Sequence, residues 1–169
     1  KIKKIIYPMG GCSYPATSVS PINEEKIWDG YPQQESAGYS MAKKMSIVAA
    51  KSYKDQYGLN STIIIPGNMY GEYDNFRHEE SHVIPSLIRK FYEAKKNNDN
   101  DVILWGDGSP IRDFIYARDV AEILLNFIDN DIEGPINISS GEGISIRQLS
   151  SLIAKSMGYT GGIVWDTSK

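Results

Sequence analysis

A single cysteine, Cys12, stands in 169 residues, which excludes an internal disulfide. No apolar run is long enough to span a bilayer or to form the core of a signal peptide. Positive charge is not in excess: the formal net charge is −3 and the isoelectric point near 5.4. The basic field on which binding to nucleic acid or to an anionic membrane rests is therefore missing, and both partners are set aside. There is no internal repeat, no low-complexity tract, and no G-x-G-x-x-G, since the glycine pairs 106/108 and 141/143 lack a third glycine. Histidine is confined to His78 and His82. These absences suit a reducing, cytoplasmic setting.

What is present is an ordinary globular composition, 41% apolar and 23% charged, enough to bury a core for one domain or somewhat more. Strands alternate with helices, the pattern of an α/β protein with a largely parallel sheet. A strand is predicted from Lys1 to Tyr7, followed by a Gly/Ser/Pro loop from Met9 to Pro21. Apolar residues at 37, 41, 45, 48, 49 and 53 recur at helical spacing and predict a helix from Ala37 to Tyr57. Ser61 to Ile65 is a β-branched run that stops at Pro66-Gly67. A second helix is expected from Pro85 through Tyr92 towards Asn97, and short strands at Val102 to Trp105 and Asp113 to Tyr116. Helices follow near Asp119 to Ile128 and near Ile146 to Met157, the latter opened by the capping-box pattern Ser145-x-x-Gln148. Both ends read as interior to a longer chain.

The leading chemical motif is Tyr39-x-x-x-Lys43. Residues four apart share a helix face, so an ammonium beside the phenol favours its ionised form and makes the tyrosine a usable general acid or base. The spacing alone decides little, because Tyr92-x-x-x-Lys96 repeats it at the polar end of a helix, where it reads as solvated surface. His78-Glu79-Glu80-Ser81-His82 spells the H-E-x-x-H of zinc hydrolases. That chemistry needs both histidines on one helical face, whereas Pro85, three residues on, places the motif in a loop before a helix, so no metal site is expected.

Several short stretches occur together: Cys12-Ser13-Tyr14-Pro15, Tyr39-Ser40-Met41-Ala42-Lys43, Pro66-Gly67-Asn68-Met69-Tyr70-Gly71, Asp74-Asn75-Phe76, Ser81-His82-Val83-Ile84-Pro85, and the run Trp105 to Phe114. In order and spacing they resemble the GDP-L-fucose synthase family, extended short-chain dehydrogenases/reductases that epimerise and reduce a 4-keto nucleotide sugar with NADPH. The resemblance spans essentially the whole chain. It implies the C-terminal part of a doubly wound Rossmann sheet, residues 1–71 and 113–139, binding NADP or NAD, and a smaller α/β substrate-binding domain, residues 72–112 and 140–169.

By the same resemblance Tyr39 is the proton donor to the ketone oxygen and Lys43 holds the nicotinamide ribose. Cys12 and His82 match the acid/base pair for epimerisation. Inverting a carbon beside a ketone needs one proton removed and one supplied, and thiol and imidazole titrate in a suitable range, about 8.5 and about 6.5. Asn68 and Gly10 fall at cofactor-contacting positions, and Asn68, Lys90, Trp105 and Arg112 at positions that contact a nucleotide sugar, GDP-linked in the family. Plain core packing is the competing reading for Trp105. Lys90 replaces a usual second arginine, a point charge in place of a fork.

Two departures stand out. The glycine-rich loop is missing, consistent with a chain that lacks the first half of the Rossmann domain. Gly10-Gly11 also stand where the family has serines, the first a member of the catalytic triad, with Ser13 nearby as a potential substitute. The resemblance implies a homodimer at full length. The alternatives are an NAD-dependent epimerase or dehydratase on another nucleotide sugar, and a non-catalytic dinucleotide-fold binding module.

Overall fold

The computed structural model describes residues 2–78 and 80–169. Lys1, where the first strand was expected to begin, and Glu79 of the His78 to His82 run lie outside them. The protein is α/β, with eight strands and four α-helices among the described residues, and its contacts divide into two compact units.

The first unit comprises Lys1–Met69 and Ile115–Ser140. Strands β1 (Lys4–Pro8), β2 (Asn60–Pro66) and β6 (Pro135–Ile138) form a parallel sheet in the order β1-β2-β6. Ile63, Ile64 and Ile65 of β2 are each no more than 3% exposed, the signature of a central strand covered on both faces. Alternation along the strand divides them. Ile63 and Ile65 pack with Met9, Tyr14 and Ile27 against Ile47 and Ala50 of helix α1 (Ala37–Tyr57). Ile64 packs with Ile115, Val120 and Ile138 against Ile123, Leu124 and Phe127 of helix α3 (Ala117–Asp129). Helices on opposite faces of a parallel sheet are the doubly wound arrangement. Each fully buried isoleucine contributes roughly 1.5–3 kcal/mol. Gly58, in the left-handed region at φ 66°, ends α1 and donates its N–H to the carbonyls of Tyr53 and Lys54.

Between β1 and α1 the chain is not a plain loop. It holds three short 3-10 turns, Gly11–Ser13, Glu24–Trp28 and Gln34–Ser36. Asn137 of β6 anchors the segment: its side chain accepts from Tyr14 OH at 2.7 Å and donates to the carbonyl of Ile22, while its backbone N–H donates to Glu24.

The second unit comprises Tyr70–Phe114 and Gly141–Lys169. Helices α2 (Val83–Asn97) and α4 (Ile146–Ser156) cover one face of the parallel pair β4 (Asp101–Trp105) and β8 (Gly162–Asp166). Their core is Leu87, Phe91, Ala94, Val102, Leu104, Leu149, Ile153 and Ala154. Phe91 is wholly buried, its ring centroid 5.5 Å from that of Tyr159. The capping box of α4 is complete, with the Gln148 N–H donating to Ser145 Oγ and the Ser145 N–H to the Gln148 side chain, each at 3.1 Å. Strand β5 (Ile111–Tyr116) pairs antiparallel with β7 (Gly143–Ser145), and a short strand β3 (Asn68–Tyr70) follows β2. No helix among the described residues is long and apolar enough to cross a membrane.

Candidate functional site

The carboxyl ends of parallel strands are where α/β sheets place ligands, because the strands stop there and loops diverge. In the first unit β1 delivers Met9, Gly10 and Cys12 to that end, and β2 delivers Asn68, which is exposed. The two strand ends are tied by Met9 N–H donating to the Ile64 carbonyl at 2.8 Å, and the Gly67 N–H donates to the Ile138 carbonyl of β6.

Helix α1 brings Tyr39 and Lys43 to the same place. Tyr39 lies in the first turn, 53% exposed, so its phenol is presented to solvent. One turn on, Lys43 Nζ donates to the carbonyl of Pro8 at 3.0 Å and lies 4.8 Å from the Tyr7 ring centroid and 5.5 Å from that of Tyr39. The last carbonyl of β1 therefore fixes the ammonium beside the tyrosine. Tyr92 and Lys96, the spacing twin, are both exposed on α2.

Gly10 is the floor between Tyr39 and Cys12. A Cβ built on it would stand 3.2 Å from Cys12 Sγ, 3.2 Å from Tyr39 Cε1 and 3.4 Å from the Tyr39 hydroxyl. Phenol and thiol thus border one small space that a larger residue would enter. Gly10 itself has φ −99° and ψ 146°, extended backbone open to any residue. Ser13 does not share this space with solvent: it is wholly buried and its Oγ has no hydrogen-bond partner. Two further residues belong to the site without having been sequence candidates: Ser40, buried and hydrogen-bonded to Cys12, and Pro8, whose carbonyl holds Lys43. Ser40 carried a signal, a hydroxyl inside the Tyr39 to Lys43 motif.

In the second unit the sequence candidates are distributed over three elements. His82 is exposed at the N-cap of α2, where its carbonyl accepts from the Ser86 N–H at 3.0 Å. His78 lies in the preceding loop and faces Glu93 at 3.3 Å; Arg89 also binds Glu93, at 2.7 Å. The two histidines are thus not on one helical face, and among the described residues no group of three or more His, Cys, Asp or Glu could hold a metal ion. Lys90 and Trp105 are brought together, with Nζ 5.4 Å from the indole centroid and donating to the Ile103 carbonyl at 3.3 Å. Burial holds the Lys90 ammonium below its ordinary pKa. Core packing does not account for Trp105: Val102 and Leu104 point inward, and the indole stands 69% exposed, with the Lys169 ammonium 5.7 Å from its centroid. Arg112 lies exposed on β5, its guanidinium donating to the Ile111 carbonyl.

The profile of the NAD dependent epimerase/dehydratase family matches residues 1–139. A probable GDP-L-fucose synthase from Oryza sativa subsp. japonica is 35% identical over 170 residues, covering 99% of this chain and 52% of the relative. GDP-L-fucose synthase of Escherichia coli (strain K12) is 34% identical over 178 residues, covering 99% and 56%. The crystal structure of a GDP-L-fucose synthetase from Naegleria fowleri bound to NADP superposes with a TM-score of 0.94 at 35% identity, covering 99% of this chain and 52% of that one. The chain spans about half the length of the curated relatives it matches.

Proposed function

The chain belongs to the NAD dependent epimerase/dehydratase family, and from that premise we propose that the full-length protein is an NADPH-dependent nucleotide-sugar epimerase/reductase that converts GDP-4-keto-6-deoxy-D-mannose to GDP-L-fucose. The observation that carries this reading is the grouping of Tyr39 and Cys12 about Gly10, with Lys43 beside Tyr39, at the carboxyl end of β1. The names of the similar proteins, GDP-L-fucose synthases and a synthetase bound to NADP, support it.

In this reading the Tyr39 phenol gives its proton to the 4-keto oxygen, which removes the negative charge as the alcohol forms. Lys43, steadied by the Pro8 carbonyl, keeps a positive charge beside the phenol and favours the phenolate left behind. Cys12 exchanges protons at carbon beside the ketone, and His82 is assigned the complementary transfer. Lys90, Arg112 and Trp105 take the nucleotide diphosphate, the cations by charge and the indole by apolar area. Tyr39, Lys43 and Asn68, with the backbone at Gly10, would hold the nicotinamide end of the cofactor. The exposed phenol and the adjoining ammonium fit such a group, which when bound supplies the hydride.

Residues 1–71 and 113–139 are assigned to the cofactor and residues 72–112 and 140–169 to the sugar nucleotide. Exposed Met41, Met45 and Val48 on α1 suit a homodimer, and a lone thiol used for proton transfer suits a cytoplasmic setting. The test is NADPH oxidation by the full-length protein with GDP-4-keto-6-deoxymannose, with GDP-fucose identified as product. The absence of both NADPH consumption and uptake of solvent deuterium into the sugar sinks the reading. Gly10, which brings no hydroxyl to the ketone, favours a second reading, action on another nucleotide sugar, and a panel of 4-keto sugar nucleotides separates the two.

A further inference from the structure

Ser40 is absent from the roles assigned above, yet it is the side chain most closely tied to the thiol. It is 0% exposed, one residue beyond Tyr39 on α1, and its Oγ lies 3.1 Å from the carbonyl of Cys12 and 3.5 Å from Cys12 Sγ. A third neighbour, Ser36 Oγ, stands 3.4 Å away one turn earlier. A buried hydroxyl has one proton to give and lone pairs to receive, and here both functions meet the same residue. The Ser36 hydroxyl, equally distant at 3.4 Å from the Gln33 carbonyl and from Ser40 Oγ, has acceptors of its own, and the two acceptors nearest the Ser40 proton besides it are both on Cys12.

We infer that Ser40 is the positioning residue of Cys12, holding the sulfur over Gly10 and stabilising the thiolate by a hydrogen bond that forms when the thiol loses its proton. While Cys12 is a thiol, the Ser40 proton rests on the nearer acceptor, the carbonyl, and the S–H can point at the Ser40 oxygen. Once the sulfur is negative, a charge-assisted bond outcompetes the neutral one and the hydroxyl turns to it. The same side chain therefore serves both protonation states by rotation of its hydroxyl alone, as a group beside one that alternately takes and gives a proton requires. The titratable groups that α1 brings to this end of β1 are the Tyr39 phenol and the Lys43 ammonium. The latter is committed to the Pro8 carbonyl, and Ser40 supplies the bond at sulfur itself. The inference rests on the proposed use of Cys12 in proton transfer, but its geometry does not.

The test is the pH dependence of Cys12 alkylation by iodoacetamide in the full-length protein, followed on the peptide that contains Cys12 by mass spectrometry. The thiolate is the reacting species, so the profile reports its stability. Ser40→Ala should move the midpoint to higher pH and slow alkylation at neutral pH by about threefold to tenfold, while Ser40→Thr, which keeps the donor, stays close to the parent. Circular dichroism checks that each variant is folded. If Ser40→Ala does not fold, Ser40→Gly removes the same hydroxyl and is read in its place. A hydroxyl-free variant whose profile superimposes on the parent's, or a Ser40→Thr shift as large as that of Ser40→Ala, overturns the assignment. Turnover is measured on the same samples. A shifted profile in a protein with no epimerase or reductase activity upholds Ser40 and sinks the functional reading, and normal turnover with an unshifted profile does the reverse.

Discussion

Tyr39 and Cys12, 27 positions apart in sequence, face one another across the backbone of Gly10: a Cβ there would be 3.2 Å from the sulfur of one and 3.2 Å from the ring of the other. Helix α1 packs on the 3-10 turn that carries Cys12, and the lack of a side chain at position 10 leaves the gap open.

That gap makes Gly10→Ser informative. The extended backbone accepts serine, and the new Cβ requires the ring of Tyr39, already half in solvent, and the Cys12 sulfur each to give by a few tenths of an ångström. The added hydroxyl would then stand beside the phenol. Turnover of the full-length protein on the fucose precursor is expected to rise by about tenfold or more, since one donor aimed at a developing oxyanion is worth roughly 10² to 10³. Unchanged or lower kcat in steady-state assays would show that this site takes its substrate without a third hydroxyl.

Tyr39→Phe removes the transferable proton and leaves the ring. It should lower kcat by about 10² to 10⁴ with KM little changed, and Lys43→Met should follow it in direction. Tyr92→Phe and Lys96→Met carry the same spacing on the exposed end of α2 and should leave both constants at parent values. Equal losses from the two pairs would mean that chemistry resides elsewhere.

Trp105→Ala removes an exposed indole flanked by the ammonium groups of Lys90 and Lys169. Because the side chain contributes little to the core, folding should be retained while GDP-sugar binding weakens by about tenfold. Titration calorimetry with GDP-mannose measures the loss, and unchanged affinity would free Trp105 of a binding role.

Lys44 gives a pH prediction. It is 3% exposed, has Gly30 O at 3.4 Å and the Trp28 ring centroid at 5.4 Å, and burial pushes its ammonium below the ordinary 10.5. Between the folded-state value and 10.5 the unfolded chain binds more protons than the folded one, so this group makes stability rise with pH through that window. Lys44→Met should flatten the rise in Tm from about pH 8 to about pH 10 and should not lower Tm at neutral pH. Parallel melting curves for parent and variant would refute the assignment.

Much of the fold was legible because it rests on local rules. Helix α1 has the bounds its apolar spacing predicts, with Gly58 ending it, and β2 is the β-branched run with one residue more at each end. Strand β6 was not legible: Pro-Ile-Asn-Ile is too short to show a period, and its Asn137 is placed by Tyr14, Ile22 and Glu24, more than a hundred residues away. The 3-10 turns before α1 were hidden for the same reason. For Trp105 the run Val-Ile-Leu-Trp is apolar throughout, and only the packing of α2 and α4 on one face of β4 decides which two side chains enter the core. Ser40 sat inside a motif in plain view, but its partner exists only once the 3-10 turn folds against α1.

The two units interleave along the chain, which passes from one to the other near residues 70, 114 and 140. On a ribosome this imposes an order of assembly. In the first unit Pro66 pairs with Ile138 only once β6 has emerged, and in the second Trp105 pairs with Asp166 only once β8 has. Neither unit can finish in the wake of the other as a simple N-terminal domain would. Each must close a loop that contains part of its neighbour, so Val102 and Leu104 can pack on Leu87 and Phe91 of α2 when they emerge but gain Leu149 and Ile153 only after that loop closes.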